Sequence, residues 1–276
     1  MTTTEVNPNK ALWEKGDFTR LAQGMRESGE AIIAQLGLTK DMYVLDLGCG
    51  DGTTALPAAK TGATVLGVDI ARNLVAAAIE RARKANLTNI TFREGDACNL
   101  SELETNTFDQ VVSIFGAMFA PKPMDVASEM VRVTKVGGKI TMGNWIPGDP
   151  TLVAQILKIS SNYTPAPPAG FISPMFWGVE DEVVKRFEAA GVQRKNISFS
   201  REKYLFNYPL TPVALVNVFK TYYGPTMTAF EAASKNGKAE DLQRELEALF
   251  IDQNTSPRKD HSTIPATFLK VTVIKN

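Results

Sequence analysis

Three aspartates and a cluster of glycines carry the chemistry that can be read from this chain. Asp46 precedes Gly48, Gly50 and Gly52 in VLDLGCGDG (44–52), Asp69 lies in VLGVDI (65–70), and Asp96 lies in ITFREGDACNL (90–100). Glycines of this kind allow positive φ and let a ligand approach the backbone closely. A carboxylate about twenty residues beyond such a turn can accept both hydroxyls of a ribose, a feature of dinucleotide and other adenosine sites alike. A helix predicted from about Thr53, with Pro57 in its first turn, offers N–H groups suited to anionic ligand groups. The glycine spacing is G-x-G-x-G, and Thr53 stands where the dinucleotide pattern requires a third glycine.

Those residues need elements to hold them. Val44, Leu45 and Leu47 form the apolar run of a strand buried on both faces. Strands and helices alternate from about residue 30 to 145, which predicts parallel pairing with helices on both sides. Right-handed crossovers then bring Gly48, Asp69 and Asp96 to one edge of the sheet. Ahead of this, residues 11–38 read as two helical pieces broken near Gly16, the second with an apolar face through Leu21, Met25, Ile32, Ile33 and Leu36. After Trp145 the pattern predicts a helix in TLVAQILKISSNY, an irregular proline-rich stretch, a helix over 179–192, and a strand in NISFSREKYLFNY. A helical insertion over about 211–252 and a last strand in ATFLKVTVIKN complete the chain. The domain layout expected is a helical segment 1–38, a core 39–146, and a remainder 147–276 that carries the insertion.

With 276 residues, 44% hydrophobic and 22% charged, the chain can bury one full core and an appendage. Thirty basic residues balance thirty acidic ones, which gives no field for a phosphate backbone and argues against nucleic acid as partner. MTTTEVNPNK lacks the regions of a signal peptide and no apolar run is long enough to span a bilayer, so a cytoplasmic protein without membrane insertion is expected. Cys49 and Cys98 have no partners at metal-ligand spacing, and no metal site is expected. The oligomeric state is left open.

These motifs together resemble the class I S-adenosylmethionine-dependent methyltransferases, in the large group that acts on small molecules. DLGCGDG is similar to that family's glycine motif, with Asp69 and the GDA of 95–97 at its intervals. FDQVVSIFGAMF (108–119) looks like its fourth strand and the loop beside the reacting methyl, and RVTKVGGKITMGNW (132–145) like its helix end, glycine turn and fifth strand. The resemblance implies an α/β fold: a Rossmann-like, doubly wound, mostly parallel seven-stranded sheet with an antiparallel last strand, an N-terminal helical lid and a C-terminal helical insertion on the substrate side. It implies S-adenosyl-L-methionine as cofactor. Gly48, Cys49 and Gly50 would approach its methionyl part, with Asp46 organising that end. Asp69 and Ile70 would serve the ribose, Asp96 the adenine amino group, and Ala97 a neighbouring N–H, with Phe115 beside the transfer site.

The acceptor side is less specified. Phe119, after the fourth strand, and Trp145, at the end of the fifth, are candidates to touch a small-molecule methyl acceptor, and Tyr222 and Tyr223 in the insertion either contact it or serve packing. Trp13 and Phe18 either form part of the lid or pack their helix onto the core. His261, in SPRKDHST, is either a general base or an exposed loop residue. The residues after the fourth strand, SIFG, lack the motif of DNA amino-methylation, and neither a paired-glutamate loop nor a magnesium-catechol carboxylate set is identified. Metal-independent transfer to O, N, S or C of a partly apolar small molecule is expected. A noncatalytic cofactor-binding protein and a nicotinamide-dependent oxidoreductase are the rival readings.

Overall fold

The computed structural model describes residues 9–276, so the part of the expected N-terminal segment over residues 1–8 lies outside the described residues. In chain order the elements begin with α1 (Asn9–Lys15), α2 (Phe18–Ala22), α3 (Arg26–Ala34), β1 (Tyr43–Leu47), α4 (Ala55–Lys60), β2 (Thr64–Asp69) and α5 (Arg72–Lys84). They continue with β3 (Ile90–Glu94), β4 (Phe108–Ile114), α6 (Pro123–Val133), β5 (Thr134–Trp145), α7 (Leu152–Ser161) and α8 (Glu180–Ala189). The chain closes with β6 (Ile197–Tyr208), α9 (Pro212–Tyr222), α10 (Gly224–Lys235), α11 (Ala239–Gln253) and β7 (Ser262–Ile274).

One seven-stranded sheet runs β3-β2-β1-β4-β5-β7-β6, and β7 alone is antiparallel to its neighbours. The fold is the Rossmann-like one expected, with helices packed around the sheet. Val44, Leu45 and Leu47 of β1, flanked by β2 and β4, are buried. The later strands β6 and β7 instead alternate buried and accessible residues over much of their length, as strands with one covered face do. Pro265 lies within β7, where its missing N–H costs no ladder bond to β5: β5 pairs with β7 only from Phe268 to Ile274. The predicted glycine turn before β5 proves to be a bulge inside that strand. Thr134 pairs with Phe108 and Lys139 with Gln110, and Gly137 takes a positive φ between them.

The N-terminal segment breaks at Gly16 as expected, and Asp17 caps α2 by accepting the Thr19 N–H at 3.2 Å. It breaks a second time, which corrects the single helix predicted there: Gln23–Met25 form a 3₁₀ turn between α2 and α3. The cause is tertiary. Tyr204 and Tyr208, on one face of β6, send their hydroxyls into the carbonyls of Met25 (2.7 Å) and Leu21, and a Cβ on Gly24 would stand 2.3 Å from the Tyr208 ring. Among the described residues no helix is long and apolar enough to cross a membrane.

Candidate functional site

The carboxyl ends of β1, β2 and β4 open into one cleft. Its floor is the turn that follows β1, where Gly48, Gly50 and Gly52 all take positive φ. The Gly48 and Cys49 N–H groups both turn back onto the Val68 carbonyl, at 2.7 and 3.1 Å. The Gly50 N–H donates to Asp69 Oδ2 at 2.8 Å. The other Asp69 oxygen accepts the Ala71 N–H at 2.9 Å, which ties the end of β2 to the turn. Burial raises the Asp69 carboxyl above its ordinary range, and these backbone donors oppose that rise.

This arrangement decides what the turn can hold. A pyrophosphate needs outward-facing N–H donors, and the three N–H groups of Gly48–Gly50 are already bonded within the protein. What faces outward there is the Cα of Gly50, on which a Cβ would meet nothing within 4 Å. With the Asp69 carboxylate alongside, the edge suits a neutral or cationic group. Asp51 also lines the cleft, 1% exposed and neutralised by Arg81 at 2.9 Å and Arg26 at 3.2 Å. It lies inside the glycine motif, and its acidic type within that turn was the available signal.

Asp46 lies beneath the turn and outside the cleft wall. Thr54 Oγ1 donates to its Oδ2 at 2.6 Å, whereas Oδ1 is buried without a partner. Desolvation, reinforced by nearby Asp69, pushes its pKa up to about 7 against the Thr54 hydrogen bond. Asp96 and Ala97 line the cleft beyond β3, and Asp96 Oδ1 accepts the Cys98 N–H at 2.8 Å. Ile70 lines it too. Burial raises the Cys49 thiol and pushes Cys98 up to about 12, so neither is a thiolate nucleophile.

Phe115 follows β4 with φ +60°, a conformation few bulky residues adopt. It is fixed there by its N–H to the Gly143 carbonyl (2.9 Å) and by a stack on Trp145, with ring centroids 3.6 Å apart and planes at 9°. Tyr204 meets the Phe115 ring edge-on at 5.0 Å. Backbone strain of this kind gathers at functional sites. Opposite the glycine turn the wall is aromatic. Trp13 packs against Phe119 at 5.0 Å, Phe18 at 5.9 Å and Tyr223 at 6.1 Å. Phe206 of β6, Phe219 of α9, and Val153 and Ile156 of α7 complete it.

The cleft therefore gathers Gly48, Cys49, Gly50, Asp69, Ile70, Asp96, Ala97, Phe115, Phe119 and Trp145. It does not include Tyr222: that residue ends α9, and Tyr223 lines the cleft in its place. Nor does it include His261, whose Nδ1 lies 3.0 Å from the neighbouring Asp260 carboxylate in the loop before β7. The sequence reading passed over Tyr204, Phe206 and Phe219; the buried alternation of Tyr204, Phe206 and Tyr208 in β6 was the signal for the first two.

Residues 45–142 match the family model described as Methyltransferase domain. Protein Rv1405c of Mycobacterium tuberculosis is 32% identical over 240 residues, which cover 86% of this chain and 85% of that protein. The structure of YcgJ from Bacillus subtilis superposes with a TM-score of 0.60 at 18% identity, over 91% of this chain and 98% of that one. Phosphoethanolamine N-methyltransferase 2 of Haemonchus contortus, in complex with S-adenosyl-L-methionine, gives a TM-score of 0.56 at 19% identity, over 91% of this chain and 53% of that one.

Proposed function

The chain belongs to the class I S-adenosylmethionine-dependent methyltransferases, and from that premise we propose that it methylates O, N, S or C of a small, partly apolar cytoplasmic molecule. S-adenosylmethionine is its cofactor and, when bound, supplies a sulfonium-activated methyl group. The residues present fit that group. The inward-bonded N–H groups of Gly48, Cys49 and Gly50 are not offered to a pyrophosphate, and Gly50 with Asp69 leaves an open, electronegative edge for a cationic methionyl end; this single observation carries the reading.

Gly48, Cys49 and Gly50 hold the methionyl part by backbone contact, and Asp46 stiffens the turn from below through Thr54. Asp69, beside Ile70, accepts the ribose hydroxyls with the lone pairs left by Gly50 and Ala71. Asp96 accepts the adenine amino group, and the Ala97 N–H lies next to it. Phe115, in the cleft wall, would border the transfer site. Phe119, Trp145 and Tyr223 bear on the acceptor, and α1 and α2 act as the lid through Trp13 and Phe18. The wall's work is to orient the acceptor in line with the methyl and to exclude water, since transfer of an activated methyl needs no covalent step on the protein. His261, outside the cleft, is given no part.

Calorimetric titration with S-adenosylmethionine, S-adenosylhomocysteine and NADH, beside an Asp69→Ala variant, tests the reading. Micromolar binding of the first two, lost in the variant and absent for NADH, is expected. Binding of NADH alone would return the chain to hydride transfer.

A further inference from the structure

Two buried tyrosines, Tyr204 and Tyr223, line the cleft, with Tyr208 buried on β6 nearby, and the hydroxyls of Tyr204 and Tyr208 are committed. Tyr204 donates to the Met25 carbonyl at 2.7 Å and Tyr208 to the Leu21 carbonyl. Tyr223, 7% exposed and part of the cleft wall, makes no hydroxyl hydrogen bond among the described residues. The hydroxyl oxygen keeps some accessible surface, unlike the fully buried unpaired polar atoms elsewhere in the described residues, so a group that enters the cleft can pair with it.

The side chain is held firmly. Tyr223 joins α9 to α10, its N–H bonded to the Phe219 carbonyl at 3.0 Å and its own carbonyl accepting the Met227 N–H at 2.9 Å. Its ring packs against Phe219 at 5.6 Å, Trp13 at 6.1 Å and Phe18 at 6.2 Å. Burial moves the phenol well above its ordinary pKa, so the group stays neutral, able to donate one hydrogen bond and accept others. The carboxylates of the cleft belong to the glycine turn (Asp51), the end of β2 (Asp69) and the loop after β3 (Asp96), whereas the rings that pack on Tyr223 are those of Phe219, Trp13 and Phe18.

We infer that the Tyr223 hydroxyl is the hydrogen-bonding anchor for a hydroxyl or carbonyl substituent on a flat, uncharged acceptor seated against the aromatic wall. This deepens the methyltransferase reading and rests on it. The anchor sets which way round the acceptor lies and so which of its atoms faces the methyl donor. An uncharged polar substituent suits the position because a neutral phenol in an apolar wall cannot offset the desolvation of a full charge.

The test uses the full chain saturated with S-adenosylhomocysteine, titrated with 2-naphthol and with 2-fluoronaphthalene as probes. The unmodified protein is expected to prefer the naphthol by roughly three- to tenfold, the range of one net buried hydrogen bond. Tyr223→Phe should bring the ratio to about one, with S-adenosylhomocysteine affinity and thermal midpoint unchanged. Tyr208→Phe, whose lost hydroxyl was already committed, should keep the preference. A preference that survives in Tyr223→Phe, weakened S-adenosylhomocysteine binding in that variant, or failure of both probes to bind would each overturn the anchor. Failure of S-adenosylhomocysteine to bind the unmodified protein would instead strike the methyltransferase reading itself.

Discussion

Gly48 and Gly116 meet backbone to backbone: a Cβ on Gly116 would stand 2.4 Å from the Gly48 carbonyl oxygen, and one on Gly48 would stand 2.6 Å from the Gly116 Cα. The turn after β1 and the loop after β4 are thereby pressed into one floor. Neither backbone has a flexible side chain that can give way. Gly116→Ala should cost roughly 1–3 kcal/mol or more, the range of overpacking in a filled core. It should also weaken S-adenosylhomocysteine binding. Gly143→Ala, whose Cβ would come no closer than 3.3 Å, should cost less. Urea unfolding of the two variants compares them.

Phe115 gives a reversal of the usual alanine–glycine order. Both Phe115→Ala and Phe115→Gly lose the stack on Trp145. At φ +60° the alanine keeps the backbone strain and the glycine releases it. The glycine variant should therefore be the more stable of the two by about 1 kcal/mol, where at an ordinary position it would be the less stable. Equal or opposite midpoints in chemical denaturation would contradict this.

Asp46 makes stability depend on pH in a stated direction. Its folded pKa, about 7, lies above the ordinary 3.8, so between those values the folded chain binds more protons than the unfolded one. Stability from this group is complete below about pH 4 and is lost as pH rises through about 7. Asp46→Asn should flatten that part of the profile, so that its thermal midpoint relative to the unmodified protein improves from pH 5 to pH 8. A difference between the two proteins that stays constant with pH would remove Asp46 as the cause.

Tyr204 and Tyr208 fasten the N-terminal helices to β6. Removing the Tyr204 hydroxyl leaves the Met25 carbonyl without that donor, and Tyr204→Phe should cost about 1–2 kcal/mol. Limited proteolysis should cut the segment around residues 17–26 faster in this variant than in the unmodified protein.

His261→Ala supplies the converse case. With its ring beside Asp260 and away from the cleft, the substitution should leave S-adenosylhomocysteine affinity within about twofold. A tenfold loss by calorimetry would bring the β7 loop into the site.

How much of this was legible in the chain follows from how local each cause is. The core from β1 to β5 could be read because apolar runs, glycine turns and strand-end aspartates are written in short segments. That Gly48, Gly50, Asp69 and Asp96 line one cleft followed from the same segments. The break between α2 and α3 could not be read, because its cause, two tyrosine hydroxyls, lies about 180 residues away. Tyr222 and Tyr223 are of identical type, and only the ending of α9 decides which of them turns inward. That Asp46 lies buried beneath the turn, 2% exposed, is not legible in its position next to the glycines, because the packing of β1 decides it.

Most of the aromatic wall comes from a different part of the chain than its floor. Residues 45–142 match the family model and include Phe115 and Phe119, whereas Trp145, Val153, Ile156, Tyr204, Phe206, Phe219 and Tyr223, with Trp13 and Phe18, come from outside that stretch. A match confined to residues 45–142 therefore speaks for the floor and is silent on most of the wall.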